Sequence, residues 1–161
     1  YNQNVHNLME TVAKHYSANK RARLLDIGCN DGVYTRKYCE RFGIDFDNAY
    51  GVDYNELNIK LLPQGRFKHH DIDLLMSLPY EDNYFDLIIM NQVLEHTKNI
   101  SHIISDINRV LKKDGLFVVS VPNLAALHSR FLLLFGEMPF AIKGMDAHIR
   151  GFTIKALREY V

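Results

Sequence analysis

At 161 residues, with 47% hydrophobic and 24% charged side chains, the chain has the length and composition of one globular domain, not of a disordered or fibrous segment. Nineteen basic residues balance nineteen acidic ones, so no cationic footprint for DNA or RNA is present and no nucleic-acid partner is expected. The greasiest stretch, Phe131 to Phe135, is far too short to span a bilayer, no basic-then-apolar leader opens the chain, and Cys29 and Cys39 form no C-x-x-C pair, so a cytoplasmic, reduced setting without a membrane partner is expected.

Apolar residues at Val5, Leu8, Met9, Val12, Ala13 and Tyr16 predict a helix over 4–18. Arg23 to Ile27 reads as strand one, Val33 to Phe42 as a helix stopped by Gly43, and Ala49 to Asp53 as strand two. A short helix over Asn55 to Leu62 ends at Pro63, and Arg66 to His70 reads as a short third strand. After a turn-rich loop at Pro79 to Asn83 come strand four, Phe85 to Met90, and a helix over Ile100 to Leu111. Lys113-Asp114-Gly115 reads as a turn, with strand five over Leu116 to Val121 stopped by Pro122. An apolar helix over Ala125 to Phe135, a loop with Gly136, Pro139 and Gly144, and a helix capped by Thr153 complete the chain. Strands that alternate with helices and are apolar on both faces predict an α/β, Rossmann-like doubly wound parallel sheet. Residues 1–161 read as one domain, with 122–152 beyond the end of strand five as a lid or substrate wall. The start at Tyr1 and the end inside a helical pattern suggest a piece of a longer protein whose last strands are missing. Leu116 to Val121 would then be an apolar sheet edge, to be covered by further residues or by a second copy in a homodimer.

The most informative stretch is Leu24-Leu25-Asp26-Ile27-Gly28-Cys29-Asn30-Asp31-Gly32. It is a strand, a tight small-residue turn and a helix N-terminus, the layout of a nucleotide-type site. An aspartate at the strand tip suits a cationic ligand group better than a pyrophosphate. A G-x-G-x-x-G pattern would need glycines at 28, 30 and 33, and only Gly28 fits, so NAD is a poor second.

In order along the chain, LLDIGCNDG, GVD, HHDI, FDLIIMNQVLEH and INRVLKKDGLFVVSVPN resemble the class I S-adenosylmethionine-dependent methyltransferases of the small-molecule type, over about residues 20 to 160. The resemblance implies that S-adenosylmethionine binds and S-adenosylhomocysteine leaves. Asp26, Gly28 and Gly32 would line the methionine part, with Asp26 accepting around the α-amino group and Gly28 and Cys29 offering backbone groups. Asn30 stands where relatives often have glycine, and asparagine tolerates the same left-handed conformation. Asp53 would take both ribose hydroxyls and Tyr54 would lie along the adenine. Asp71 would accept from the adenine amine, with Asp73 close enough to compete and Ile72 beside the ring. Asn91 and Gln92 would face the sulfonium and the reacting group. Cys29 is expected to serve through its backbone, not as a nucleophile.

Three roles stand open for Glu95 and His96. In some relatives a Glu-x-x-Glu-His motif, with another histidine downstream, binds a divalent metal, but Gln92 replaces the first carboxylate, so no metal is expected. His96 could be a general base, or the pair could simply order the turn after strand four. His148 falls where related enzymes often place an acceptor-side histidine. Arg150 could meet an anionic acceptor or make a surface ion pair. Lys112 and Lys113 read as a solvated helix end. The expected reaction is methyl transfer to a small molecule, most simply at oxygen; a non-catalytic binding module and an N- or C-methyltransferase remain alternatives.

Overall fold

Alternating apolar strands and amphipathic helices give a five-stranded, all-parallel sheet in the order β3-β2-β1-β4-β5. The computed structural model describes residues 2–16, 19–139, 142 and 148–161. Along the chain these form α1 (Asn2–His15), β1 (Leu24–Ile27), α2 (Val33–Phe42), β2 (Ala49–Asp53), α3 (Glu56–Ile59), β3 (Phe67–His69), β4 (Phe85–Asn91), α4 (Ile100–Val110), β5 (Leu111–Ser120), α5 (Leu127–Leu134) and α6 (Ile154–Leu157). Single 3₁₀ turns at Phe46–Asn48 and Leu94–His96, neither expected from sequence, follow α2 and β4. Ala18 of the expected first helix and Gly144 of the expected loop lie outside the described residues.

Local signals set several boundaries. Gly43 closes α2 at φ 64°, its N–H donating to the Cys39 carbonyl, a conformation that favours a residue without Cβ. Asn55 caps α3 by accepting from the Leu57 N–H, and Thr153 caps α6 by accepting from the Ala156 N–H at 3.1 Å. One expectation fails at Lys113-Asp114-Gly115. β5 begins at Leu111 and runs through the expected turn. Its register against β4 jumps from Phe85↔Leu111 to Leu87↔Leu116, so the polar residues between are absorbed as a bulge. The bulge lets Leu111 pack with the buried face beside α4, and a Cβ on Gly115 would meet Leu111 Cδ1 at 2.7 Å. Lys112 is accordingly no solvated helix end; its Nζ pairs with Asp86 Oδ1 at 2.7 Å.

The sheet separates two apolar layers. On one face Val5, Leu8 and Val12 of α1 and Tyr38, Cys39 and Phe42 of α2 pack against Leu24, Leu87 and Ile89. On the other, Ile100, Ile103, Ile104, Ile107 and Val110 of α4 pack against Leu25, Ile88 and Met90. Neighbouring strand residues thus serve opposite faces, which is why the strands read as unbroken apolar runs. β5 is an outer strand, as the apolar edge expectation requires, with Leu116 and Val118 on the first layer and Phe117 and Val119 on the second.

Beyond β5 the chain makes an excursion whose base is closed: Asn123 bridges Phe152, and the Leu124 N–H donates to the Phe152 carbonyl at 2.8 Å. Within it α5 is turned inside out. Ser129 is buried, whereas Leu127, Phe131, Leu134 and Phe135 are exposed.

Candidate functional site

The site lies at the C-terminal ends of β1, β2 and β4, where an open parallel sheet presents its loops. Gly28 leaves β1 at φ 79°, and a Cβ there would stand 2.4 Å from Val93 Cγ2. Only glycine fits that conformation and that gap. The Gly28 and Cys29 N–H groups both donate to the Val52 carbonyl, at 2.8 and 3.2 Å, which fastens the loop to β2. Asn30 adopts the expected left-handed conformation, φ 49°. Its N–H donates to Asp53 Oδ2 at 2.8 Å, and the Asn55 N–H donates to Asp53 Oδ1 at 2.8 Å. The Asp53 carboxylate is therefore held from both sides at the tip of β2. Each oxygen keeps further acceptor capacity for a ligand.

Two adjoining cavities meet at this loop. The larger, about 440 Å³, is lined by Gly28, Asn30 and Asp53 at one end, by Tyr54, Asp71 and Ile72 along one wall, and by Asn91, Gln92 and His96 at the other end. The smaller, about 230 Å³, is lined by Asp26 and Cys29 and shares Gly28, Asn30 and Asn91 with the larger. Asp26 and Asp53 thus line adjoining cavities on either side of the Gly28–Asn30 loop. Of the expected site residues, Gly32 and His148 line neither cavity. The left-handed φ of Gly32, 74°, starts α2, and the space where its Cβ would be is taken by Leu62 Cδ2 at 2.7 Å. The glycine is needed for helix entry and packing, which is why its sequence signal resembles that of a ligand contact.

Asp26 is buried and accepts from Thr35 Oγ1 at 2.5 Å. Burial pushes its carboxyl up to about 7; the Thr35 hydroxyl pulls it back, and the Asp53 charge adds to the rise. A cationic ligand group in the smaller cavity would reverse that shift. The Cys29 thiol is pushed well above its ordinary range by burial and by the charges of Asp26 and Asp53, so it is no thiolate nucleophile, in line with its sequence reading. The Asp71 and Asp73 carboxylates both line the larger cavity; Asp73 Oδ1 accepts from the Lys98 and Asn99 N–H groups at the start of α4, whereas Asp71 accepts from the Asp73 N–H, so the two differ in their local partners. Tyr54 is largely exposed on that wall, its carbonyl accepting from His69 Nε2 at 2.9 Å.

At the end of β4, Asn91 accepts from Ser120 Oγ and donates to the Tyr38 hydroxyl at 3.3 Å. Gln92 sits at φ 56° and donates to Ser120 Oγ at 3.3 Å. A left-handed glutamine at a strand end is the kind of backbone strain that binding sites retain.

The following 3₁₀ turn carries Glu95, which sequence reasoning noticed beside His96 but did not place in the site. It is 1% exposed, and neither carboxylate oxygen has a hydrogen-bond partner. Burial raises its pKa, while its own backbone amide and the charges of His96 and His148 pull it down. His148 comes to it from far along the chain: His148 Nε2 lies 3.9 Å from Glu95 Oε1, and the His96 and His148 rings stand 4.7 Å apart between centroids. One donor atom from each of Glu95, His96 and His148 falls within 4.8 Å of the others, a set of three that could coordinate one divalent cation. Arg150 departs from its surface ion-pair reading, since Nη2 donates to the Lys98 carbonyl at 3.1 Å. His69 and His70 part company, His69 toward Tyr54 and His70 onto the cleft wall.

With this geometry in view, the family described as a methyltransferase domain matches the chain over residues 1–161. A ubiquinone biosynthesis O-methyltransferase of Pelagibacter ubique is 29% identical over 108 residues, covering 65% of this chain and 43% of the relative. A 2-phytyl-1,4-naphtoquinone methyltransferase of Nostoc punctiforme is 28% identical over 145 residues, covering 81% and 62%. Among solved structures, a SAM-dependent methyltransferase of Archaeoglobus fulgidus shares the fold at a TM-score of 0.67, with 24% identity and coverage of 97% of this chain and 66% of that one. The chain spans about half the length of the curated relatives it matches. Among the described residues no helix is long and apolar enough to cross a membrane.

Proposed function

The chain belongs to the methyltransferase-domain family, and from that premise we propose that it binds S-adenosylmethionine and transfers its methyl group to a small molecule, at an oxygen atom. The observation that carries this reading is the Asp53 carboxylate, pinned by the Asn30 and Asn55 amides at the tip of β2, with buried Asp26 across the shared loop. A carboxylate fixed in that way suits a vicinal diol, because its two oxygens can each accept one hydroxyl hydrogen bond. Asp26 suits the ammonium of the methionine moiety. Asp71 and Ile72 suit the adenine, and Asn91 and Gln92 line the end of the cleft nearest β5.

The residues present fit the cofactor, since Asp26 is a carboxylate buried without a cation and Gly28 leaves room for close approach. The cofactor supplies a methyl group activated on a sulfonium; the protein aligns the acceptor and excludes water. His96 lines the cleft and is the base that takes the acceptor's proton, with His148 behind it. The excursion over 122–152 forms the acceptor wall, and its apolar side chains favour an acceptor with an apolar portion. The oxygen acceptor accords with the O-methyltransferase relative, and the apolar portion with the relatives named for quinones. A cytoplasmic setting completes the reading.

Calorimetric titration of the intact protein with S-adenosylhomocysteine tests it. Stoichiometric binding that is weakened in Asp53→Ala supports the assignment. Absence of binding by folded protein makes the chain a non-catalytic module instead. A methyl-transfer screen over phenols, carboxylic acids and amines then separates O- from N-methylation.

A further inference from the structure

We propose that a pocket behind the cleft wall is the site of one buried water molecule shared by His70 and His102, and that through this water His102 positions the wall carrying Asp71 and Ile72. The water site stands independently of the methyl-transfer reading; its consequence for the cofactor rests on that reading.

The segment from His70 to Leu78 is fastened to α4 at two places. Near its start, Asp73 Oδ1 accepts from the Lys98 and Asn99 N–H groups, and Asn99 Nδ2 donates to the Asp73 carbonyl at 2.8 Å. At its far end the Leu78 N–H donates to the Asp106 carboxylate, and Arg109 Nη2 donates to the Leu78 carbonyl at 2.9 Å. Segment and helix also enclose a cavity of about 10 Å³, lined by His70, Ile72 and Met76 from one side and by His102, Ile103 and Asp106 from the other. That is about the space one water molecule needs. His70 Nε2 and His102 Nε2, one from each side, are buried and have no hydrogen-bond partner among the described residues. A buried polar atom left unpaired is costly, and two that line one small cavity point to a partner they share.

Ring chemistry says what that partner must offer. Burial lowers the His70 pKa, against the opposing pull of Asp106, Asp71 and the Met76 carbonyl. The ring is then neutral. Its hydrogen bond to the Met76 carbonyl comes from Nδ1, because Nε2 has no partner. Nε2 therefore presents a lone pair and needs a donor. Water gives it one hydrogen and keeps a second hydrogen and two lone pairs for the other side, so it suits His102 in either tautomer. Asp106 is already held, since Oδ1 accepts from Arg109 Nε at 2.6 Å, and its spare acceptor capacity faces the same cavity.

The site matters because of where His70 stands. Its N–H donates to the Asp53 carbonyl at 2.9 Å, and the next residue along the chain is Asp71. His70 and Ile72 line the larger cleft cavity as well as the pocket behind it. His102 lines neither cleft cavity. The water is thus a third fastening of the segment, and it carries the seating of α4 to the residue that joins the two acids.

A high-resolution crystal structure of the intact, ligand-free protein tests the site. One density peak within about 2.7–3.2 Å of both Nε2 atoms is expected. A direct bond between the imidazoles, no density between them, or a metal ion there with its anomalous signal overturns the proposal. The positioning role is read in His102→Leu, which removes the partner, and in His102→Gln, whose amide can take the place of Nε2. Hydrogen exchange at the Leu74 and Met76 amides is expected to quicken in the first and to return to the parent rate in the second. S-adenosylhomocysteine affinity is expected to fall roughly threefold to tenfold in His102→Leu and to recover in His102→Gln. If His102→Leu does not fold, His102→Asn, too short to reach the water, is read in its place. Unchanged exchange in the folded variant, or equal losses in His102→Gln, overturns the role of His102. The structure and the exchange rates need no ligand, so their failure removes the water site or the role of His102 alone. Failure of the parent to bind S-adenosylhomocysteine removes the methyl-transfer reading.

Discussion

On the β1–β2 side of the cleft, Asp53 is gripped by two backbone amides within 2.8 Å, whereas beyond β4 Glu95 sits deeper in the protein with His148 Nε2 3.9 Å from its carboxylate. The first arrangement is made by residues close in sequence and is fixed before any ligand arrives. The second is made by two segments far apart in sequence, Glu95 on the turn after β4 and His148 on the returning segment. One side is built within a single βαβ unit, and the other is completed only when the chain returns.

Substitutions that unsettle each side should break this contrast in graded order. Gly28→Ala is expected to cost about 2–4 kcal/mol of stability, because a Cβ at a left-handed position would also collide with Val93; a denaturant midpoint shows it. Asp53→Ala is expected to weaken S-adenosylhomocysteine binding by roughly 1–3 kcal/mol, read by calorimetry. An unchanged affinity would take Asp53 out of the site. Asp26 gives a pH signature. Its carboxyl lies near 3.8 when unfolded and about 7 when folded, so between those values the native state holds a proton that the unfolded chain has lost. Stability therefore falls as pH rises through that window, and the full penalty is present above about 7. Asp26→Asn should raise the melting temperature at pH 8 and hardly change it at pH 4, a gain of about 1–2 kcal/mol. Binding of a ligand ammonium should conversely weaken in the parent as pH drops below about 7, and a flat calorimetric profile would count against that contact. Thr153→Ala, remote from both sides, is expected to cost about 1 kcal/mol through the lost cap of α6 and to leave affinity unchanged.

The contrast also explains what could be read from the chain. The Gly28 loop, Asn30 and Asp53 were legible because their chemistry is local: strand tip, left-handed turn and next strand tip lie within one βαβ unit. The sheet was legible because strands covered on both faces read as continuous apolar runs. Gly32 lies outside both cavities, and a glycine needed for helix entry looks the same in sequence as one needed by a ligand. The turn at Lys113-Asp114-Gly115 was misread because a bulge uses turn residues, and only the pairing of Leu111 with Phe85 distinguishes the two. Glu95 was visible as a residue, but its nearness to His148 was not, since that contact forms only when the returning segment hooks onto the Glu95 carbonyl.

That return has a consequence for how the domain can be varied. The chain leaves the scaffold at Leu124 and is stitched back at Phe152, so the stretch between is a detour with both ends nailed to the frame. Doubling the length of such a detour adds only about 0.6 kcal/mol of closure entropy. The detour can therefore be lengthened or shortened by editing one patch of sequence, while the glycine turn and its two acids stay as they are.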